Sequence, residues 1–164
     1  MITVLNADIT TLALDAIVNA ASEAFRGGGG VDGAIHAAAG SELLDECRRH
    51  PRLPTGEAIV TKGYRLPARL IVHTVGPIWY GGDKDEPALL RRAYESVFAA
   101  ALAEGSIRTI GFPSISTGVY GYPKREAAAI ALDVMRTHAA RFERIVACVF
   151  SEVDAAIYRK ELAS

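Results

Sequence analysis

Residues Gly27–His36 read Gly-Gly-Gly-Gly-Val-Asp-Gly-Ala-Ile-His and organise the first half of the chain. A β-branched and apolar run, Ala16–Asn19, precedes them, and a helical pattern over Gly33–Ala39 follows. Glycine lacks a Cβ, so four in succession let the backbone approach a ligand with its N–H groups pointing inward. The N-terminus of the following helix adds a positive dipole end. The stretch therefore predicts a strand, an anion-binding loop and a helix. The alternative is a flexible loop of four glycines.

Short β-branched runs alternate with alanine-rich helical segments through the rest of the chain, a pattern typical of α/β proteins. We predict strands at Ile2–Leu5, Ala16–Asn19, Ala58–Thr61, Leu70–Thr74, Thr109–Phe112 and Arg144–Phe150. We predict helices at Gly33–Ala39, Ser41–His50, Pro87–Ala103, Lys124–Ala140 and Val153–Leu162. Continuous apolar strands are typical of a sheet that helices cover on both faces. Ligands of such sheets bind beyond the carboxyl ends of the strands, so the residues that follow each strand are the candidate site residues.

The composition excludes several classes of protein. A length of 164 residues predicts one domain, residues 1–164. Eighteen basic against nineteen acidic residues leave no basic excess that would indicate a nucleic-acid or membrane surface. No apolar run reaches the ~18 residues of a membrane helix, and Met1–Leu5 lacks the features of a signal peptide. The two cysteines, Cys47 and Cys148, have no metal-ligand spacing. We therefore expect a cytoplasmic protein without a metal, another cofactor, or a membrane or nucleic-acid partner.

A second glycine-bearing loop follows the fifth predicted strand. Ser116–Gly121 reads Ser-Thr-Gly-Val-Tyr-Gly, with two aliphatic hydroxyl groups and two glycines between a strand and a helix. Two such loops facing one crevice predict a diphosphate site built from backbone N–H groups. The alternative is an ordinary turn-rich connection. The match of Gly28–Gly33 to the dinucleotide pattern G-x-G-x-x-G is weak, because only Glu57 loosely meets the acidic residue expected about 20 positions later.

Three polar side chains and one aromatic side chain near these loops each have two interpretations. Asp32 is either a helix cap or a carboxylate beside the anion site that binds a ribose hydroxyl or orients a water. His36, one helical turn later, either holds that carboxylate or is an interior histidine. Asp8 is either a turn residue or an acceptor for an exocyclic amine such as N6 of adenine. Phe150 is either a core residue or a surface on which a base stacks.

Five segments together resemble the macro domain family of the MacroD type, close to bacterial O-acetyl-ADP-ribose deacetylases. They are Ala7–Thr10, Ile17–Ala21, Gly27–His36, Val72–Pro77 and Ile115–Pro123. The resemblance covers essentially the whole chain. It implies a three-layer α/β/α sandwich with a mixed sheet of about six strands. It also implies ADP-ribose as the ligand.

The resemblance implies a role for each site residue. Asp8 would bind the adenine amine, Ile9 would lie beside it, and Phe150 would stack near the adenine. Asp32 would be the catalytic carboxylate, and the catalytic set would be Asp32, Asn19 and Ser22. The other implied ligand-binding residues would line the second ribose and the diphosphate: Ala21, Ser22, Gly29, Gly30, Val31, Ser116, Thr117, Gly118, Val119 and Tyr120.

The chain departs from the family pattern at two positions. Ala7 stands where the family has glycine before the adenine-binding aspartate, which is tolerable when φ is negative. Ser22 stands where the family has a second asparagine after Asn19-Ala20-Ala21. Serine is shorter than asparagine, and the loss of one hydrogen bond to the distal ribose costs about 0.5–1.5 kcal/mol. We expect binding to survive and turnover to fall, because the position of the ribose sets the geometry of attack.

The expected function is that of an ADP-ribose ester hydrolase. Its expected substrates are O-acetyl-ADP-ribose and proteins mono-ADP-ribosylated on Asp or Glu. The first alternative is a reader module that binds ADP-ribose without hydrolysis, a role favoured by Ser22. The second is a Rossmann-type dinucleotide enzyme.

Overall fold

The computed structural model describes residues 1–164, over which six strands and five α-helices follow one another along the chain. The strands are β1 (Ile2–Asn6), β2 (Ala16–Ala20), β3 (Ala58–Lys62), β4 (Leu70–Thr74), β5 (Thr109–Phe112) and β6 (Arg144–Val149). The helices are α1 (Gly30–Ala39), α2 (Ser41–Cys47), α3 (Glu86–Glu104), α4 (Lys124–His138) and α5 (Glu152–Ala163). Short 3-10 helices add Ile9–Thr11 and Ala139–Arg141.

The six strands form one mixed sheet in the order β1-β6-β5-β2-β4-β3. Four of the pairings are parallel, and only β3 runs antiparallel to its neighbour β4. The carboxyl ends of five strands therefore meet at one edge of the sheet. The register of β2 on β4 sets Asn19 opposite His73 at this edge.

Two hydrophobic clusters lie on opposite faces of the sheet. The larger one has 25 buried residues and packs α3, α4 and α5 on one face, with Tyr94, Val97 and Leu132 among its members. The smaller one has 15 buried residues and packs α1 and α2 on the other face, with Ile35 and Leu43 among them. The inward residues of the strands are apolar on both faces, as the continuous apolar runs predict. The predicted three-layer sandwich with a mixed six-stranded sheet is confirmed.

The predicted elements all form, and their ends differ most around the glycine tract and after α2. The first helix begins at Gly30, three residues before the predicted start. The second ends at Cys47, three residues early, because Pro51 has no N–H to donate to the Cys47 carbonyl and disfavours a helical conformation at His50. The Cys47 carbonyl accepts the His50 N–H and the Arg26 guanidinium instead.

None of the helices combines the length and the apolar character that crossing a membrane requires.

Candidate ligand-binding site

A cavity of about 510 Å³ opens at the edge of the sheet where the parallel strands end. Ala20 at the end of β2, Pro113 after β5 and Val149 at the end of β6 form part of its wall. The glycine tract and the second glycine-bearing loop both line it. Its volume lies within the roughly 300–1,000 Å³ that is typical of small-molecule sites. The two loops therefore face one crevice.

The glycine tract forms one rim of the cavity and leads into α1. Gly29 is the N-cap of this helix, so Asp32 lies inside the first turn and the interpretation of Asp32 as the cap is wrong. A Cβ on Gly33 would collide with the carbonyl oxygen of Gly28, so the loop can fold back on the helix only with glycine there. The first amides of α1 have no partner within the helix, and they lie at the cavity. An anion can accept hydrogen bonds from them.

The second loop forms the facing rim, and Ser116 has an unusual backbone conformation there. Its φ is +69°, a left-handed value that residues other than glycine rarely adopt. Ser116 lines the cavity, and its hydroxyl is buried without a hydrogen-bond partner. A Cβ on Gly76 would collide with this hydroxyl and with Ile115, so the loop packs directly on the backbone after β4. Strain and an unpaired polar group coincide here, as they commonly do where a ligand binds.

The position of the second loop depends on the segment that precedes α3. The backbone N–H of Trp79 donates to the carbonyl of Tyr120 at 2.9 Å. The Trp79 ring packs on Tyr122, with ring centroids 4.6 Å apart. The buried carboxylate of Glu86 accepts backbone N–H groups from Tyr80, Gly82 and Lys84. These hydrogen bonds hold the pKa of Glu86 down at about 2 although burial raises it.

Asp32 is the one carboxylate on the glycine-tract side of the cavity, and one of its oxygens accepts a hydrogen bond from the interior of the sheet. Asn19 Nδ2 donates to Asp32 Oδ1 at 2.8 Å, and His36 Nε2 lies 3.5 Å from the same oxygen. Oδ2 accepts no hydrogen bond from the protein and is not sealed from solvent. Burial raises the pKa of the Asp32 carboxyl, while the Asn19 hydrogen bond and the His36 ring oppose the rise. A carboxylate with these partners can accept a proton from a water or hold a sugar hydroxyl.

The structure brings most of the predicted site residues together around the cavity. Those that line it are Ala21, Ser22, Gly29, Gly30, Val31, Asp32, Ser116, Thr117, Gly118, Val119, Tyr120 and Phe150. Phe150 follows β6 and is 60% exposed, so the interpretation of this residue as core is wrong. His36 packs against the Asp32 carboxylate.

Three predicted site residues lie outside the lining. Asn19 is fully buried behind Asp32, and the side chain of Ile9 is buried in the smaller core cluster. Asp8 is exposed and caps the 3-10 helix by accepting the Thr10 N–H. Ala7, directly before it, donates its N–H to the Val149 carbonyl and accepts from the Cys148 thiol, and both of these β6 residues line the cavity. Asp8 therefore lies beside the β6 end of the cavity.

Sequence reasoning missed several lining residues. Gly76 follows β4, Ser114 follows β5, and Lys124 and Asp154 lie in the first turns of α4 and α5. Lys124 Nζ is 2.8 Å from Asp154 Oδ1, so the single basic side chain of the lining is already paired. The signal that could have found these residues is their position directly after strands or in the first turn of the helix that follows. An anion in the cavity would depend mainly on backbone N–H groups and helix N-termini.

Comparison with known sequences matches this chain to macro domain proteins. The sequence profile described as Macro domain matches residues 18–131. A macro domain-containing protein of Ralstonia nicotianae is 57% identical over 158 residues, covering 96% of this chain and 92% of the relative. A Klebsiella pneumoniae protein named O-acetyl-ADP-ribose deacetylase is 49% identical over 164 residues, covering 96% of this chain and 93% of its own.

Solved structures agree with the sequence comparison. The Oceanobacillus iheyensis macrodomain solved with ADP superposes with a TM-score of 0.92 at 44% identity, covering 98% of this chain and 88% of the other. The Trypanosoma brucei macrodomain in complex with ADP-ribose superposes with a TM-score of 0.89 at 44% identity, covering 97% and 68%.

Proposed function

Because this chain belongs to the macro domain family, we propose that it binds ADP-ribose and hydrolyses acyl esters of it. The proposed substrates are O-acetyl-ADP-ribose and proteins mono-ADP-ribosylated on Asp or Glu. The observation that carries the proposal is the single cavity lined by both glycine-bearing loops, with Asp32 on its wall. The name of the Klebsiella relative and the ligands of the two solved macrodomains support it.

The diphosphate would lie between the two loops. On one side it would accept hydrogen bonds from the backbone of Gly29–Val31 at the start of α1, and on the other from the backbone of Ser116–Tyr120. The unpaired hydroxyl of Ser116 would donate to it. This arrangement explains how a chain with a formal net charge of −1 binds a dianion without a free lysine or arginine in its site.

The adenosine would extend toward the β6 end of the cavity. Phe150, which is 60% exposed and lines the cavity, would stack on the adenine. Asp8 and the backbone at Ile9 would bind the adenine edge from the adjacent end of β1. The distal ribose would then lie near Ala21, Ser22 and Asp32.

Asp32 would act at the ester. Its free Oδ2 would accept a proton from a water whose oxygen attacks the carbonyl carbon. The bond between the carbonyl carbon and the sugar oxygen would break, and the proton would pass to the sugar oxygen as the hydroxyl of ADP-ribose forms. The products are a carboxylic acid and ADP-ribose. Base catalysis of this kind contributes about 10²- to 10⁴-fold.

A second route is attack on the anomeric carbon, in which the water oxygen ends in ADP-ribose rather than in the acid. Hydrolysis in ¹⁸O-labelled water distinguishes the two. Label in the released acetate indicates carbonyl attack, and label in ADP-ribose indicates anomeric attack.

The test of the function is hydrolysis of O-acetyl-ADP-ribose by the wild type and by Asp32→Asn, with calorimetric titration of ADP-ribose into both. We expect turnover by the wild type, binding by both proteins and loss of turnover in the variant. Tighter binding of NAD than of ADP-ribose would favour a dinucleotide enzyme and contradict the proposal.

The second candidate function is a reader of ADP-ribose, favoured by Ser22. This residue lines the cavity, and its side chain makes no hydrogen bond in the structure. Tight binding of ADP-ribose without turnover above the Asp32→Asn background would identify a reader.

A further inference from the structure

A buried chain of four hydrogen-bonded side chains runs behind the cavity. Asn19, His73 and Thr61 belong to β2, β4 and β3, which are neighbours in the sheet, and Asp32 belongs to the first turn of α1. Asn19 Nδ2 is 2.8 Å from Asp32 Oδ1 and 3.0 Å from His73 Nδ1, and His73 Nε2 is 2.8 Å from Thr61 Oγ1. Asn19 and His73 are fully buried, and the other two are 2–6% exposed.

The direction of these hydrogen bonds follows from the amide of Asn19. Its Nδ2 can only donate, so His73 Nδ1 accepts and the ring proton resides on Nε2. Nε2 then donates to Thr61, whose hydroxyl donates to the carbonyl of Lys62 at 3.2 Å. A flipped Asn19 amide would place its oxygen against a carboxylate oxygen and an imidazole lone pair. The Asp32 carboxylate therefore fixes the orientation of the Asn19 amide, and His73 Nδ1 accepts the second N–H of that amide.

This orientation determines which oxygen of Asp32 faces the cavity. Oδ1 is held by Asn19, with His36 beside it. Oδ2 points toward the glycine tract, since a Cβ on Gly28 would lie 3.2 Å from it. No protein group donates to Oδ2. The free oxygen is therefore the one on the ligand side.

We propose that His73 is a positioning residue that, through the amide of Asn19, holds Asp32 with one oxygen turned into the cavity. The assignment rests on the proposed function of Asp32. Burial lowers the pKa of His73 to about 3, so the ring remains neutral at working pH and the direction of the hydrogen bonds is constant. His73 contacts no substrate, because it lies behind Asn19.

Other titratable groups surround these four hydrogen-bonded side chains and influence their pH dependence. The charges of His36 and His50 add to the effect of burial in lowering the pKa of His73. The Phe25 ring lies between the rings of His50 and His73, with centroid distances of 5.8 Å and 4.9 Å. The groups facing Asp32 are His36, Cys47 and Tyr120. Substitution of His73 leaves all of these in place.

His73→Phe removes the acceptor for the Asn19 amide. We expect kcat for O-acetyl-ADP-ribose to fall about tenfold, the effect of one hydrogen bond, while KM stays within about twofold. We expect the acid limb of the kcat–pH profile to move to higher pH, because the Asn19 hydrogen bond lowers the pKa of Asp32. His73→Gln retains an acceptor and should recover part of the loss. The control is His138→Phe, a half-buried histidine on α4 outside the cavity, and its kinetics should match the wild type.

A double-variant cycle tests whether His73 acts through Asn19. In an Asn19→Ala background, His73→Phe should change neither kcat nor the pH profile further. An additive loss, or a loss without any shift of the acid limb, would show that His73 only supports the fold and would overturn the proposal. If His73→Phe does not fold, Thr61→Val removes the hydroxyl that accepts from His73 Nε2, so the ring is no longer held in this tautomer. This variant should shift the acid limb of the kcat–pH profile in the same direction.

An NMR measurement separates this inference from the proposed function. The ¹⁵N shifts of His73 should show protonated Nε2 and bare Nδ1 from pH 5 to 9, and the ¹³C-detected pKa of Asp32 should be higher in His73→Phe. If the wild type has no turnover but these shifts are found, the hydrolase function fails while the positioning of Asp32 stands. Turnover with an unshifted Asp32 pKa would overturn the inference alone.

Discussion

Asp32 and Asn19, 13 residues apart in the chain, share a 2.8 Å hydrogen bond that joins the first turn of α1 to the end of β2. The same Asn19 amide nitrogen donates to His73 Nδ1 at 3.0 Å. The bond therefore couples the carboxylate that lines the cavity to the interior of the sheet.

Asp32→Asn keeps this hydrogen bond and removes the charge. We expect turnover of O-acetyl-ADP-ribose to fall about 10²- to 10⁴-fold, as for the loss of a general base, while ADP-ribose still binds. Because burial raises the pKa of Asp32 in the folded state, the charged carboxylate destabilises the fold above that pKa, and the variant should melt at a higher temperature at pH 7. Calorimetry and an ester-hydrolysis assay measure the two effects. Asp133→Asn, an exposed change on α4, is the control, and unchanged turnover in Asp32→Asn would refute the role of Asp32.

Ser116 offers a matched pair of variants. Ser116→Gly removes both the left-handed strain and the hydroxyl, while Ser116→Ala removes only the hydroxyl. Both should weaken ADP-ribose binding about 3- to 10-fold, the effect of one hydrogen bond. Only Ser116→Gly should also raise the free energy of unfolding, by about 0.5–1 kcal/mol. Titration calorimetry and urea unfolding give the two quantities. Unchanged affinity in both variants would mean that the hydroxyl does not contact the ligand.

Gly76 and Gly118 test how tightly the second loop packs. A Cβ on Gly76 would meet Ser116 and Ile115, whereas a Cβ on Gly118 meets nothing within 4 Å. We expect Gly76→Ala to lower the free energy of unfolding by about 1–3 kcal/mol through overpacking. Gly118→Ala, whose φ is not positive, should stay within about 0.5 kcal/mol of the wild type. Equal stability of the two variants in urea unfolding would contradict the close contact.

Ser22→Asn introduces the amide that the resemblance to the macro domain family implies at this position. A longer side chain with both a donor and an acceptor should hold the distal ribose more firmly, so we expect kcat to rise and affinity for ADP-ribose to gain about 2- to 10-fold. Steady-state kinetics on O-acetyl-ADP-ribose provide the measurement. Ala129→Asn, an exposed change on α4 outside the cavity lining, is a control for the general effect of a new surface amide. A rise in affinity without any rise in kcat would indicate that Ser22 does not limit turnover.

Glu86 should make stability depend on acid pH. Its pKa is lowered to about 2 in the folded state from an ordinary 4.5, so its contribution is fully present above pH 4.5 and is lost as the pH falls toward 2. Glu86→Gln should lower Tm at pH 7, with the difference from the wild type shrinking as the pH falls through this window. Thermal melts between pH 2 and 7 measure it. A constant difference across the window would show that the charge of Glu86 is not the cause.

Much of the fold and both loops could be predicted from local sequence. The apolar runs of β4 and β5 define strands of the observed length, and the periodicity of α3 defines its buried face, because both signals come from neighbouring residues. The two glycine-bearing loops were also predictable, since conformational freedom is a property of the residue itself. The continuous apolar strands predicted helices on both faces of the sheet, and the resemblance to the macro domain family, which the comparisons confirm, added that the sheet is mixed.

Only the tertiary structure decides how the site is supported. The hydrogen bond between Asn19 and His73 spans 54 residues and exists because the register of β2 on β4 sets them opposite one another. The contact of Gly76 with Ser116 and the pairing of Lys124 with Asp154 likewise depend on elements that meet only in the folded chain. Periodicity and residue type act over a few positions along the chain. The partners of a buried polar group are chosen by strand register and packing, which a single sequence does not display.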